Sequence, residues 1–327
     1  MASEGKTLSI LNVEPDGYSP RARALLDRFA QVKEGPLSRS ELLLQMNDID
    51  ILIVRLAHRI DEELIHAASR LTTIVTATTG LNHIDMQAAE QNNIAVLSLR
   101  GEREFLDTIY ATVEHTWALL LALIRHMPFA HEHAVRGGWE RDLYKGTELH
   151  GRTLGLIGLG RIGSKVANIA TSFGMKVIGY DTESIDNLPK AVQQVPLDNV
   201  LAEADIVSLH VSYSQENHGM IGKEQLMGMK KGALLINTSR GELIHEAALL
   251  QSLEQGHLGG AALDVLCGEN NHWLDSTGLL EYARKNRNLI ITPHIGGCTY
   301  DSMEKTEIFM AEKLLRHLTQ RDEIICD

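Results

Sequence analysis

Short apolar runs alternate with helical patterns through the N-terminal part of the chain. The runs predicted as strands are Leu8–Val13, Ile49–Val54, Leu71–Ala77 and Ile94–Leu97. The segments with helical spacing are Arg21–Val32, Asp61–Ser69 and Ile84–Gln91. Strands separated by helices of this length favour a parallel sheet that is covered by helices on both faces.

The next segment, Leu106–Met127, has a helical pattern that is apolar nearly all round. A helix of this kind has to be buried on several sides, because it presents no continuous polar face to water. Either its own domain or a second subunit would provide that cover.

A second series of strands and helices begins at Thr153. Its predicted strands are Thr153–Ile157, Lys176–Tyr180, Ile206–Leu209, Ala233–Ile236, Gly260–Leu263 and Leu289–Thr292. This alternation predicts a doubly wound sheet of the kind that binds dinucleotides. A last helical segment, Ser302–Leu318, follows it.

Length and composition narrow the class of protein. The chain has 327 residues, and single cores stop growing at about 250–300 residues, so two domains are expected. With 44% apolar and 23% charged residues, the composition is that of globular proteins rather than disordered or fibrous ones. The net charge of −12 disfavours nucleic acid or an anionic membrane as a partner.

The sequence also bears on location and on metals. Three cysteines without a CxxC pair indicate a reduced, cytoplasmic setting, and the N-terminal residues lack the apolar core of a signal peptide. The longest apolar run, Trp117–Ile124, is far shorter than the about 20 residues that span a bilayer. His131 and His133 are too close in sequence to share one helical face, and no HExxH motif occurs. We therefore predict neither a metal nor a membrane partner.

A glycine-rich turn follows the first strand of the second series. Gly158, Gly160 and Gly163 form a GxGxxG pattern between that strand and a helix. The first glycine permits a tight turn, the second lets the backbone approach a pyrophosphate, and the third lets helix and strand pack closely. The pattern alone is weak evidence for a binding site, since glycines also occur in turns that bind nothing. Its position between a strand and a helix favours a dinucleotide site.

Asp181 ends the next strand, where a carboxylate can accept hydrogen bonds from the hydroxyls of an adenosine ribose. The same carboxylate would repel the 2′-phosphate of NADP, and Thr182 and Glu183 supply no compensating arginine. The turn also lacks the Gly-Lys-Ser/Thr of nucleoside triphosphate loops. The predicted cofactor is therefore NAD.

Polar side chains follow the later strands, at the edge of the sheet where ligands bind. Arg240 can bind a carboxylate and a carbonyl oxygen through its fork of donors. His294 can exchange a proton near neutral pH, and Glu269 can orient it and favour its protonated form. Asp264 is predicted to accept from the nicotinamide carboxamide or the nearby ribose.

Each of these side chains has a structural interpretation as well: a surface ion pair, a helix cap or a solvated loop. Together, beside a dinucleotide turn, they predict hydride transfer between a nicotinamide and a carbonyl that lies next to a carboxylate.

With these motifs the chain resembles the D-isomer-specific 2-hydroxyacid dehydrogenases, including phosphoglycerate dehydrogenases. The resemblance rests on the segments 151–163, 237–244, 261–265 and 292–297, with 80–85 and 112–116 in addition. It implies a flavodoxin-like substrate domain (1–105 and 297–327), a Rossmann NAD domain (106–296) and a cleft between them. It also implies Arg240, Glu269 and His294 as the catalytic residues.

The resemblance further implies that Gly80 and Leu81, together with Arg240, bind the substrate, and that the helix near 106–127 forms a homodimer. The complete set of residues predicted to bind the cofactor is Gly158, Gly160, Arg161, Ile162, Gly163, Asp181, His210, Thr238, Asp264 and Gly297.

The sequence leaves alternatives open. The segment 98–113 is longer than in phosphoglycerate dehydrogenases, and its Arg100 and Arg103 either bind a second anionic group or are solvated charges. The leading interpretation is an enzyme that interconverts a 2-oxo acid and a D-2-hydroxy acid, with His294 as acid and base. The alternatives are D-3-phosphoglycerate dehydrogenase of serine biosynthesis and an NAD(H)-sensing protein similar to a corepressor.

Overall fold

The computed structural model describes residues 8–35, 37–185, 188–190, 192–269 and 278–321. The chain divides into two compact units, Met1–Ile109 with Thr299–Asp327, and Tyr110–Cys298. Among the described residues, no helix combines the length and the apolar character needed to cross a bilayer.

The first unit contains a five-stranded parallel sheet in the order β2-β1-β3-β4-β5. Its strands are β1 (Leu8–Asn12), β2 (Ala30–Glu34), β3 (Ile51–Val54), β4 (Thr73–Thr76) and β5 (Ala95–Leu97). Its helices are α1 (Pro20–Leu26), α2 (Arg39–Gln45), α3 (Glu62–His66), α4 (Met86–Gln91), α5 (Arg103–Asp107) and, from the end of the chain, α13 (Tyr300–Gln320). This strand order is the flavodoxin-like one, in which the winding direction changes between β1 and β3.

The structure corrects one prediction in this unit. The segment Arg21–Val32 is not one helix, because α1 ends at Leu26 and the chain then forms β2. Strand β2 pairs with β1 from Leu8↔Ala30 onward, and only Ala30 among its residues is buried. An exposed edge strand carries little apolar signal, so its pairing rather than its local pattern decides its conformation.

The second unit contains a seven-stranded parallel sheet in the order β12-β11-β10-β9-β6-β7-β8. Its strands are β6 (Thr153–Ile157), β7 (Lys176–Tyr180), β8 (Val192–Gln194), β9 (Ile206–Leu209), β10 (Leu234–Asn237), β11 (Gly260–Leu263) and β12 (Leu289–Ile291). Its helices are α6 (Ala111–Ile124), α7 (Met127–Val135), α8 (Arg161–Ser172), α9 (Leu197–Glu203), α10 (Lys223–Gly228), α11 (Glu246–Glu254) and α12 (Gly278–Lys285). This is the Rossmann order with one further strand, and the short edge strand β8 was missing from the predicted set.

Both faces of this sheet are buried. Neighbouring residues of one strand lie in different core clusters, as Leu235 and Ile236 of β10 do, because side chains alternate across a strand. Helix α6 packs in the second of these clusters through residues such as Trp117, Leu120 and Leu123. The fold class predicted from the sequence, two parallel-sheet α/β domains with a Rossmann NAD domain, is thus confirmed.

The apolar segment Leu106–Met127 is interrupted rather than continuous. It contains the end of α5, the whole of α6 and the first residue of α7. Most of α6 is covered within its own unit, whereas α7 has no buried residue at all.

Candidate functional site

The glycine turn has the backbone geometry that a phosphate site requires. Gly158 has a φ of +98°, and a Cβ there would lie 2.6 Å from the carbonyl oxygen of His210. A Cβ on Gly163 would overlap the carbonyl oxygen of Gly158. A Cβ on Gly160, by contrast, would meet no described atom, so the space above the turn is open where a pyrophosphate is expected. Helix α8 begins directly afterwards, and Arg161 and Ile162 form its first turn.

Asp181 is held beside this turn by backbone amides. Its Oδ2 accepts a hydrogen bond of 2.8 Å from the amide of Leu159, and its Oδ1 accepts one of 3.3 Å from Glu183. The carboxylate is therefore fixed at the end of β7, close to the glycine turn. A fixed negative charge at this position fits NAD and opposes a 2′-phosphate.

His210 and Thr238 come directly after the neighbouring strands β9 and β10, at the carboxyl edge of the sheet. The Nε2 of His210 is 2.9 Å from the Oγ of Ser208, and burial lowers the pKa of His210 to about 4. The imidazole is thus neutral at physiological pH. Thr238 is buried, and its hydroxyl lies 2.9 Å from the hydroxyl of Thr116 on α6.

Arg240 is half-buried just beyond β10. Asn237 donates a hydrogen bond of 2.8 Å to its carbonyl oxygen, and Nη1 of Arg240 donates one of 2.6 Å to the carbonyl of Ser239. Burial lowers the pKa of Arg240, and the negative charges of Glu269 and Glu242 oppose that shift. The guanidinium stays charged, since arginine does not lose its proton in proteins. Its other donors have no partner among the described residues, which suits them to an anionic ligand.

Glu269 and His294 form a hydrogen-bonded pair through Oε1 and Nδ1. The other oxygen of Glu269 accepts a hydrogen bond of 3.2 Å from the amide of Leu266, which fixes the carboxylate. The side chains of His294 and Glu269 remain 24% and 22% exposed, so a ligand can reach them. With Nδ1 engaged, Nε2 is the imidazole nitrogen of His294 that can exchange a proton with a substrate.

Asp264 is buried and accepts several hydrogen bonds within the protein. Its Oδ1 accepts from Thr292 Oγ1 at 2.6 Å and from the Ile295 amide at 2.9 Å, and its Oδ2 accepts from the Gly296 amide at 2.7 Å. Burial raises the pKa of Asp264, but hydrogen bonds from His115, Thr292 and the two amides outweigh it and lower the pKa overall. The predicted contact with the nicotinamide carboxamide would have to use Oδ2, because Oδ1 is already saturated.

His115 is a residue of this site that the sequence reasoning missed. It lies on α6, and its Nε2 is 3.0 Å from Asp264 Oδ1 and 3.0 Å from Thr292 Oγ1. The signal available in the sequence was the 112–116 motif of the family resemblance, which gave no role to its histidine.

Gly297 lies one residue beyond the loop that Asp264 holds, and a Cβ there would meet no described atom.

Gly80 and Leu81 belong to the first unit, in the loop after β4. Thr78 Oγ1 donates a hydrogen bond of 2.8 Å to the carbonyl of Gly80 and lies 3.0 Å from the hydroxyl of Thr76. Within the described residues, neither amide of Gly80 and Leu81 donates to a protein group. A fixed loop with two such amides is suited to binding a carboxylate.

Arg100 and Arg103 are exposed. Lys313 of α13 holds the segment that carries them, because it donates hydrogen bonds of 2.8 Å to the carbonyl of Ser98 and of 2.5 Å to Glu102.

Among the described residues, no group of three or more metal-ligating side chains is placed to hold a metal ion.

Comparison with known proteins identifies the family. Residues 117–296 match the family model for the NAD binding domain of D-isomer specific 2-hydroxyacid dehydrogenases. The chain is 35% identical to the hydroxypyruvate reductase of Thermotoga maritima over 88% of its own length and 91% of that protein. The chain therefore belongs to the D-isomer specific 2-hydroxyacid dehydrogenase family, and NAD is its cofactor, as the sequence predicted.

Two further relatives extend the comparison. The chain is 37% identical to the D-3-phosphoglycerate dehydrogenase of Synechocystis sp. over 89% of its own length, but it spans only 51% of that protein. The crystal structure of D-lactate dehydrogenase from Aquifex aeolicus, complexed with NAD and lactic acid, matches with a TM-score of 0.84 and 28% identity over 97% of both chains.

Proposed function

We propose that this protein is an NAD-dependent oxidoreductase that interconverts a 2-oxo acid and a D-2-hydroxy acid. The observation that carries the proposal is the joint position of a charged Arg240 and the Glu269–His294 pair at the carboxyl edge of the Rossmann sheet. The edge that holds these groups is the one that holds the glycine turn. The solved relative from Aquifex aeolicus contains NAD and lactic acid, which supports this substrate class.

Each residue has a proposed role. When bound at the glycine turn, NADH supplies the hydride. The other donors of Arg240 orient the carboxylate and polarise the adjacent carbonyl. In the first unit, the family resemblance implies that the amides of Gly80 and Leu81 contribute to substrate binding. Nε2 of His294 donates the proton that the new hydroxyl group requires, and the hydrogen bond with Glu269 keeps the imidazole oriented.

The experiment is a turnover assay with NADH and a panel of 2-oxo acids. The panel includes pyruvate, hydroxypyruvate and phosphohydroxypyruvate, because the three relatives are named after different substrates. The His294→Gln and Arg240→Leu variants should each lose about 10²- to 10⁴-fold in kcat/KM. His66→Leu, a change at an exposed histidine on α3, is the matched control. Rates in the two site variants equal to that of the control would refute the assigned roles.

We also propose that the protein forms a homodimer, through a surface that follows α6 rather than through α6 itself. Large apolar side chains are exposed along this stretch: Met127 is 57% exposed, Val135 68%, Trp139 88% and Leu143 56%. Exposed apolar residues concentrated in one segment are typical of an interaction site. A second copy is the proposed occupant. Light scattering at micromolar concentration should give a dimer mass, and a Trp139→Glu Leu143→Glu variant should give a monomer.

We further propose a cytoplasmic location, since neither Cys267 nor Cys298 forms a disulfide within the part of the chain that the structure describes. Fractionation of cells that express a tagged protein tests this proposal. Recovery outside the cytoplasmic fraction would contradict it.

A further inference from the structure

His294 has a backbone conformation that side chains rarely adopt. Its φ is +53°, in the left-handed region that is uncommon for residues other than glycine. The direction of the imidazole follows from this backbone, so whatever keeps the backbone there also aims the reactive nitrogen. Outliers of this kind persist only where surrounding contacts fix them.

The surrounding contacts come mainly from one residue, Asp264. Its carbonyl oxygen accepts a hydrogen bond of 2.8 Å from the amide of His294 itself. Its carboxylate accepts from Thr292 on one side of the histidine and from the amides of Ile295 and Gly296 on the other. Hydrogen bonds on both sides of His294 therefore clamp the loop, and we call this set of contacts the Asp264 clamp.

His115 completes the clamp from a different element. The ionised carboxylate of Asp264 can only accept, so the Nε2 of His115 has to carry a proton and donate across 3.0 Å. The hydroxyl of Thr292 donates to the same oxygen and can accept from His115 in turn. Helix α6, which carries His115, is anchored in the core of the unit. The loop of His294 is thus tied to a rigid helix as well as to β11.

We infer that His115 is a positioning residue, which holds the Asp264 clamp and thereby aims the imidazole of His294. The inference rests on the proposed role of His294 as the proton donor. It assigns to His115 no contact with substrate or cofactor, only the orientation of a residue that makes such contacts. A misplacement of about 1 Å at a reacting group costs on the order of 10²-fold in rate.

Two variants at this position separate the hydrogen bond from the shape of the side chain. His115→Leu removes the donor, whereas His115→Gln keeps an amide nitrogen near the position of Nε2. We expect kcat to fall about 10- to 100-fold in the leucine variant and to recover in the glutamine variant. The affinity for NADH should change little in either, and His66→Leu again serves as the control.

The deuterium isotope effect on kcat, measured with NADH deuterated at the transferred position, distinguishes positioning from a loss of folded enzyme. A smaller active fraction lowers kcat without changing the isotope effect. Misdirected chemistry slows the transfer step, so the isotope effect should increase in His115→Leu and return to the wild-type value in His115→Gln. A fall in kcat without a change in isotope effect, equal in both variants, would overturn the inference.

A second readout does not depend on turnover. The ¹⁵N signals of the His294 imidazole, assigned by their loss in His294→Gln, report its hydrogen bond with Glu269. They should shift in His115→Leu and return in His115→Gln, and unchanged signals in the leucine variant would also overturn the inference. If the wild-type protein reduces no 2-oxo acid, the proposed function fails, and the imidazole signals still decide whether His115 positions His294.

Discussion

The partly buried imidazole of His210 should make the protein less stable in mild acid. Its Nδ1 is buried and has no hydrogen-bond partner among the described residues, while Nε2 bonds to Ser208. Protonation would therefore place a charge and an unpaired donor in a poorly solvated position. This is the physical reason why burial lowers the pKa from 6.5 to about 4.

The sign and the size of the effect follow from linkage. Because the pKa is lower in the folded state, the unfolded chain binds more protons between pH 6.5 and about 4. Stability is then fully present above pH 6.5 and is lost as the pH falls through this window. At about 1.4 kcal/mol for each pKa unit, the loss from this one residue reaches about 3 kcal/mol.

The assay is urea unfolding at several pH values between about 7.5 and 4.5, for the wild type and for His210→Gln. Glutamine retains a polar group for Ser208 but does not titrate, and the other titrating groups are common to both proteins. The difference between their free energies of unfolding should therefore change by about 1–3 kcal/mol across this range. A difference that stays constant with pH would refute the reasoning.

Three further predictions concern the two units. Asp181→Ala should raise the affinity for NADPH relative to NADH by on the order of 10-fold, about 1.4 kcal/mol, as measured by fluorescence titration. An unchanged ratio of the two affinities would show that Asp181 does not cause the preference for NAD. Gly241→Ala should lower the free energy of unfolding by about 1–3 kcal/mol, because the new Cβ would overlap the carbonyl carbon of Leu266; urea unfolding tests this, and wild-type stability would contradict it. Thr78→Val should raise KM for the 2-oxo acid about 5-fold, the equivalent of one hydrogen bond, while kcat stays unchanged. Thr78→Ser, which keeps the hydroxyl, should restore KM. Steady-state kinetics test this prediction, and equal KM values in all three proteins would exclude a role for this hydroxyl.

The strand-end residues could be predicted from the sequence because parallel strands bring the segments after their carboxyl ends to one edge of the sheet. Arg240, Glu269 and His294 are far apart in sequence, yet Glu269 bonds to His294, and its charge acts on Arg240. The periodicity of the strands and the rule about their carboxyl ends were sufficient for this prediction. No knowledge of individual side-chain contacts was needed.

The features that sequence reasoning missed depend on contacts between distant segments. His115 and Asp264 are separated by 149 positions, and nothing in the pattern of α6 indicates that this histidine faces β11. The edge strand β2 has a single buried residue and β8 has none, so the apolar periodicity that revealed the central strands is weak in them. Their conformation is decided by pairing with β1 and β7, which a local pattern does not contain.

The two sheets show why only one of them provides a nucleotide site. Each has a point where the winding direction reverses, and ligands bind at such points in open α/β sheets. In the first unit the protein's own carboxylate occupies the position: Glu14, after β1, accepts hydrogen bonds from the amides of Arg55 and Ala57 after β3, at 2.8 and 3.2 Å.

In the second unit the equivalent position is the glycine turn, where a Cβ on Gly160 would meet no described atom and the first turn of α8 has amides without intrahelical partners. An internal anion and a dinucleotide phosphate compete for the same kind of amide cluster. The presence of Glu14 in one sheet and of a bare glycine turn in the other therefore assigns NAD to the second unit, on grounds that do not depend on the similarity to known dehydrogenases.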